Sequence, residues 1–165
     1  ENWLGAGSKT IEAAPWAINQ FPLGGNALIS LRGRATAPLP DRLIALWPYT
    51  RPDDERMEFR SEVLLVRASE GDQLKIGVGP EPKRLGYLRD GALFIKEVES
   101  GMGLTSPDFG AVGQVYVGSG FCELESLGDL TRIHPGEAVS LMERWTVVDC
   151  DDLDEAIGIV VEGLG

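Results

Sequence analysis

The chain has little of what most catalytic centres and metal sites are built from. Among its 165 residues there is one histidine, His134, and there are two cysteines, Cys122 and Cys150. His134 sits in a turn just before Pro135 with no neighbouring group to orient it, which argues against a Ser-His-Asp centre and favours an exposed turn histidine. Three His and Cys residues scattered in this way do not make a zinc site, and no metal or other cofactor is expected. No GxxxxGK[ST] loop occurs, and Gly101-Met102-Gly103 lacks the strand-then-helix setting of a phosphate cradle. Positive charge is also scarce. Fifteen basic residues face 26 acidic ones, a formal charge of −11, which opposes a phosphate backbone or an anionic bilayer. No apolar run is long enough to span a membrane. Neither nucleic acid nor membrane is expected as a partner. The two cysteines lie near opposite ends of two strand-like runs. A disulfide stays open on spacing alone, and two buried thiols is the preferred reading.

Numbering starts at Glu1, no signal-peptide pattern is visible, and the cytoplasm is slightly favoured. The chain is expected to be processed or to be a piece of something longer. Hydrophobic residues make up 43% and charged residues 25%, so a chain of this length can bury a core as one domain spanning 1–165.

What is present is period-two alternation broken by glycine and proline. Thr10 to Phe21 reads as a strand whose middle Pro15 demotes to an edge or a bend, and Ala27 to Leu31 as a short apolar strand. Arg42 to Trp47 (RLIALW) reads as a strand buried on both faces, with Trp47 in the core. A helical turn is expected at Pro52. Met57 to Ala68 and Gln73 to Val78 are expected to pair as a hairpin, as are Leu85 to Leu88 and Ala92 to Val98 across Arg89-Asp90-Gly91. Glu1 to Ser8 reads as a fraying start, Thr36 to Asp41 as a loop, and Thr105 to Gly113 as another. The period changes only at the end. Leu153, Ile157, Val160, Val161 and Leu164 form a helical stripe behind Asp151 or Asp152 as N-cap. The expected fold is therefore all-β, an antiparallel β-sandwich with at most a short C-terminal helix.

The stretch Phe121 to Asp149 organises the functional reading. Glu123 and Glu125 share one face of its first run, and Leu141, Glu143 and Trp145 share a face of its second. Three carboxylates and a tryptophan are thus expected on one sheet surface. Lys75 and Lys96, each flanked by apolar residues, are expected to point onto it from neighbouring strands. The simpler reading of the same pattern, an ion-pair network on a solvated face, is the preferred one on sequence alone. Trp16 and Trp145, beside polar residues of their own strands, are candidates to stack on a sugar ring. Arg51 is placed to fork onto hydroxyls or a carboxylate, or else to pair with Asp53 or Asp54.

Taken in order, AAPWAINQFPLGGNALI, ALWPYTRPDDERMEF, LKIG, LFIKEV, SPDFG and FCELESLGDLTRIHPGEAVSLMERW resemble bacterial members of the galactose mutarotase-like superfamily. These are β-supersandwiches related to aldose 1-epimerases and to sugar-binding domains of glycoside hydrolases. The likeness covers about residues 1–149. It implies that the chain is the C-terminal portion of a longer supersandwich whose concave face recognises a carbohydrate. It also implies that Glu125, in Leu124-Glu125-Ser126, stands where the epimerases carry their general base. Where those enzymes place a histidine acid, this chain has Trp16, Ile18 and Gln20, and Leu141 replaces a further histidine before the E-x-W. The first expectation is accordingly a carbohydrate-binding or sugar-processing protein. Glu123, Glu125, Glu143 and Gln20 would meet hydroxyls, Trp16 or Trp145 would stack, and Arg51 and Lys96 would donate from the rim. The alternatives are an isomerase with Glu125 as base and a structural or assembly domain without a ligand site. Exposed sheet edges predict self-association into a homo-oligomer.

Overall fold

A computed structural model describes residues 9–31, 40–79, 84–99 and 106–164. Within these, the chain forms thirteen strands: β1 (Ile11–Ala13), β2 (Trp16–Pro22), β3 (Asn26–Ser30), β4 (Leu43–Leu46), β5 (Met57–Phe59), β6 (Val63–Arg67), β7 (Leu74–Gly79), β8 (Arg84–Arg89), β9 (Ala92–Glu99), β10 (Gly113–Gly118), β11 (Phe121–Leu127), β12 (Thr131–Ile133) and β13 (Met142–Asp149). A single α-helix, α1 (Leu153–Glu162), ends the described chain. All pairings are antiparallel. One sheet has the order β2-β11-β10-β7-β4, a second the order β13-β9-β8-β3-β6-β5, and β1 pairs with β12 beside them. The fold is an all-β sandwich with one short C-terminal helix.

Alternation decides how these layers stack. In β3, Ala27 and Ile29 enter a core with Leu74, Ile76, Val115, Cys122 and Leu124 of the five-stranded sheet. Leu28, on the opposite face of the same strand, joins Leu65, Leu93 and Ile95 in a second core closed by Ala156, Val160 and Val161 of α1. The six-stranded sheet is therefore covered on both faces, which explains why β3 and β6 read as almost continuous apolar runs. The outer face of the five-stranded sheet has no α-helix or second sheet over it among the described residues, and it carries most of the polar residues of β2, β10 and β11.

Several local expectations match. The β8–β9 hairpin turns on Asp90 and Gly91, both at positive φ (50° and 78°), as a tight two-residue hairpin requires. Asp152 caps α1 by accepting from the Glu155 amide. Pro15 separates β1 from β2. Cys122 and Cys150 are free buried thiols, one in each core.

Other expectations are corrected. The runs 57–68 and 73–78 are not hairpin partners, because β6 pairs with β3 and β5 while β7 crosses to the other sheet. β4 is an edge strand with alternating half-buried and exposed residues, not one buried on both faces. Residues 52–56 form turns and no helix. Glu1 to Ser8, most of the 36–41 loop and Gly101-Met102-Gly103 lie outside the described residues.

Candidate functional site

Two cross-strand rows make up the outer face of the five-stranded sheet. Ile18, Glu125, Gln114, Gly77 and Ala45 stand side by side in register, and Gln20, Glu123, Tyr116 and Lys75 form the next row. Their sequence neighbours Leu124, Val115 and Ile76 point into the inter-sheet core, so alternation drives these rows outward.

At the centre is Glu125, 1% exposed. Its Oε2 accepts from Trp16 Nε1 at 2.9 Å and from Lys75 Nζ at 2.8 Å. The ammonium of Lys75 also lies over two indoles, 4.7 Å from the Trp47 ring centre and 5.4 Å from that of Trp16. A desolvated carboxylate is tolerated only when charge and hydrogen bonds compensate it, and here one lysine and one indole do so. Cation–π contact with both rings holds the lysine in place. Thr50 fixes the adjoining backbone, since its hydroxyl donates to the Lys75 carbonyl and accepts from the Lys75 amide, each at 2.8 Å. That clamp brings Tyr49 to the site's edge. Burial raises the Tyr49 phenol above its ordinary value, and the nearby Tyr116 and Glu125 add to the effect.

Glu123 differs from Glu125. Its side-chain hydrogen bond is a 3.2 Å contact from Gln20 Nε2. Burial holds its carboxyl above the usual carboxylate value, the Gln20 bond opposes this, and the charge of Glu125 reinforces it. Beside it, Tyr116 packs against Phe121 with ring centres 5.8 Å apart.

The far side of the face is roofed by residues 106–112. A 3-10 turn at Asp108–Gly110 puts Asp108 and Phe109 at positive φ. Gln114 Nε2 donates to Asp108 Oδ2 and to the Ala111 carbonyl, at 2.9 and 2.8 Å, while its buried Oε1 has no hydrogen-bond partner. Gly79 and Gly77 of β7 make the roof possible. A Cβ on Gly79 would fall on the Gly110 carbonyl oxygen, and one on Gly77 would come within 2.7 Å of Ala111 Cβ and 3.3 Å of Trp47 Cζ3.

The structure brings together Glu125, Glu123, Gln20 and Trp16 from the expected set, and separates the others. Glu143 and Trp145 are not on this face, because β11 and β13 belong to different sheets. Lys96 is not a rim donor. It is fully buried between the sheets, where Nζ donates to Asn19 Oδ1 at 2.9 Å and to the Ala17 and Leu124 carbonyls at 3.3 Å. Glu143 Oε1 lies 2.9 Å from the same Nζ, an ion pair whose angles fall outside those of a hydrogen bond. Trp145 Nε1 donates to Glu143 Oε2 at 3.0 Å. Burial lowers the Lys96 pKa, and Glu143 partly restores it. Arg51 makes a bidentate pair with Asp53 in an exposed turn. His134, also exposed, meets the Thr10 hydroxyl through Nδ1. Among the described residues no group of three His, Cys, Asp or Glu could hold a metal ion.

Trp47, Gln114 and Tyr116 belong to the site although the sequence reading placed Trp47 in the core and passed over the other two. The available signal was LKIGVG. Lysine and two glycines at period two mark one face that carries a cation and lets another layer approach closely. Comparison with family models, with curated proteins and with solved structures finds no match to this chain.

Proposed function

We propose that the outer face of the five-stranded sheet binds a carbohydrate. The observation that carries this reading is the state of Trp16. The residue is 57% exposed, yet its Nε1 is tied to a buried carboxylate, so a large apolar surface is presented in a fixed orientation. A pre-oriented ring costs little further ordering on binding, and its face suits the C–H side of a pyranose. Two residues along β2, Ile18 extends the platform, and two further on Gln20 and Glu123 offer a donor and acceptors for hydroxyls. Lys75 and Tyr49 supply donors from the adjoining strand and loop.

Glu125 supports an alternative reading as an aldose-epimerase-like base. In that chemistry a carboxylate takes the anomeric proton while an acid serves the ring oxygen. No histidine stands on this face among the described residues, and the Tyr49 phenol, raised above its ordinary value by burial, is the proton donor at its edge. The structural reading draws on the two lysine partners, Lys75 for Glu125 and Lys96 for Glu143, whereas the hydrogen-bond donor at Glu123 is the Gln20 amide.

Saturation-transfer NMR against neutral hexoses, amino sugars and uronic acids tests the proposal, with Trp16→Ala and Glu125→Gln beside the parent. Binding by the parent that is lost in Trp16→Ala is the expected result, and anomer exchange on any hit separates binding from isomerase chemistry. Silence across the panel from a folded sample overturns it.

A further inference from the structure

Among the described residues each of the two large sheets ends in two edge strands, and these four edges are not alike. β5 and β4 are three and four residues long, too short to template much pairing. β2 ends in Pro22 and follows Pro15, and its Trp16 is engaged with Glu125. β13 is the exception. It runs for eight residues, Met142–Asp149, with neither proline nor lysine. Three large apolar side chains on it stand open: Met142 at 64%, Trp145 at 60% and Val147 at 66% exposure. Alternation puts Met142 on one face of the strand and Trp145 and Val147 on the other, so apolar surface flanks the outer backbone edge on both sides.

Two of the three charges on β13 are matched from β9, in a chain of net charge −11. Glu143 is matched by Lys96 at 2.9 Å and Arg144 by Glu97 at 3.6 Å. From Met142 to Val148 the strand thus offers backbone groups and apolar side chains with little net charge. Most of this surface would repel a second copy, but this segment would not.

We propose that β13 pairs antiparallel with β13 of a second copy, continuing the six-stranded sheet across a twofold axis. Symmetry restricts the register, because residues facing each other must lie on the same face of the sheet. Centring the axis on Trp145 sets Trp145 against its own copy, Arg144 against Thr146, Glu143 against Val147 and Met142 against Val148. No like charges then oppose each other over residues 142–148. Centring on Arg144 opposes two arginines, and centring on Thr146 opposes Glu143 to Asp149. The Trp145-centred register keeps the longest pairing free of repulsion and joins the two exposed indoles in a cross-strand aromatic pair.

Sedimentation equilibrium of the parent over a concentration series should show a monomer–dimer equilibrium. Trp145→Lys places two ammonium groups opposite each other by symmetry and should weaken the dimer by about tenfold or more, with the fold retained by circular dichroism. Register is read separately from Trp145→Cys and Val147→Cys. The first should form a covalent dimer under mild oxidation, since self-opposed Cβ atoms come within reach of a disulfide, and the second should not. A parent that stays monomeric at the highest concentration overturns the proposal and leaves the edge to a different chain. A dimer untouched by Trp145→Lys, or Val147→Cys cross-linking as readily as Trp145→Cys, overturns the assignment to this strand and register.

Discussion

Replacing Lys96 by methionine removes the one cation buried between the sheets among the described residues while keeping most of its apolar stem. The ammonium serves Asn19 Oδ1, the Ala17 and Leu124 carbonyls and the Glu143 carboxylate, joining β9 and β13 of one sheet to β2 and β11 of the other. Without it, Glu143 keeps only the Trp145 indole N–H in a nearly closed site, and the Asn19 oxygen loses its donor. Breaking a buried pair from one side costs about 3–5 kcal/mol, most of it the penalty of the charge left behind. At about 2–4 °C per kcal/mol for a domain of this size, the melting temperature should fall by roughly 6–20 °C. Removing the charge as well reverses much of this, so Lys96→Met/Glu143→Met should be more stable than Lys96→Met alone. Urea unfolding followed by tryptophan fluorescence gives both numbers, provided the slope is unchanged. A single variant within about 1 kcal/mol of the parent would refute the reasoning, as would a double variant less stable than the single.

Other outcomes follow from the same geometry. Glu123 has its folded pKa raised, so its stabilising contribution is complete below the ordinary carboxylate value and is lost as pH rises through the raised one. Glu123→Gln should therefore be more stable than the parent at neutral pH, with the gap closing in acid; thermal melts across pH check this, and a gap that widens in acid contradicts it. Gly79→Ala should cost about 1–3 kcal/mol or more by driving the roof off β7. Gly158→Ala, in α1 with open space around it, should instead stabilise by about 0.5–1 kcal/mol, and melts of the two variants should move in opposite directions. Burial in the inter-sheet core pushes the Cys122 thiol up to about 12, so it should resist a thiol reagent in the native protein and react fully in guanidinium. Native labelling of Cys122 at the unfolded rate would rule that out.

The features that were legible in the sequence are local ones. The Arg89-Asp90-Gly91 turn, the Pro15 break and the capped C-terminal stripe each depend on residues a few positions apart, and all three are present. Sheet membership is not local. Alternation tells that Glu123 and Glu125 share a face, and likewise Glu143 and Trp145, but not that β11 and β13 lie in different layers. The same blindness made a hairpin of β6 and β7. Lys96 read as a surface cation because its acceptors come from Ala17, Asn19 and Leu124, far away in the chain. Trp47 read as core because RLIALW is apolar throughout, whereas at an edge strand one face of such a run stays open, and there it meets Lys75.

The position of α1 bears on how the chain reaches this fold during synthesis. Strand β3 is the third of the described strands, and the helix that covers one of its faces follows all thirteen. Until the ribosome has released the segment around Val160 and Val161, Leu28, Leu65, Leu93 and Ile95 lack the helix that covers them on that side, however well the two sheets have already docked. A nascent chain stalled before residue 153 would hold an assembled sandwich with an oily outer wall, a species suited to chaperone capture or to aggregation. The ten residues of α1 therefore decide less the shape of the sandwich than whether one of its walls is sealed.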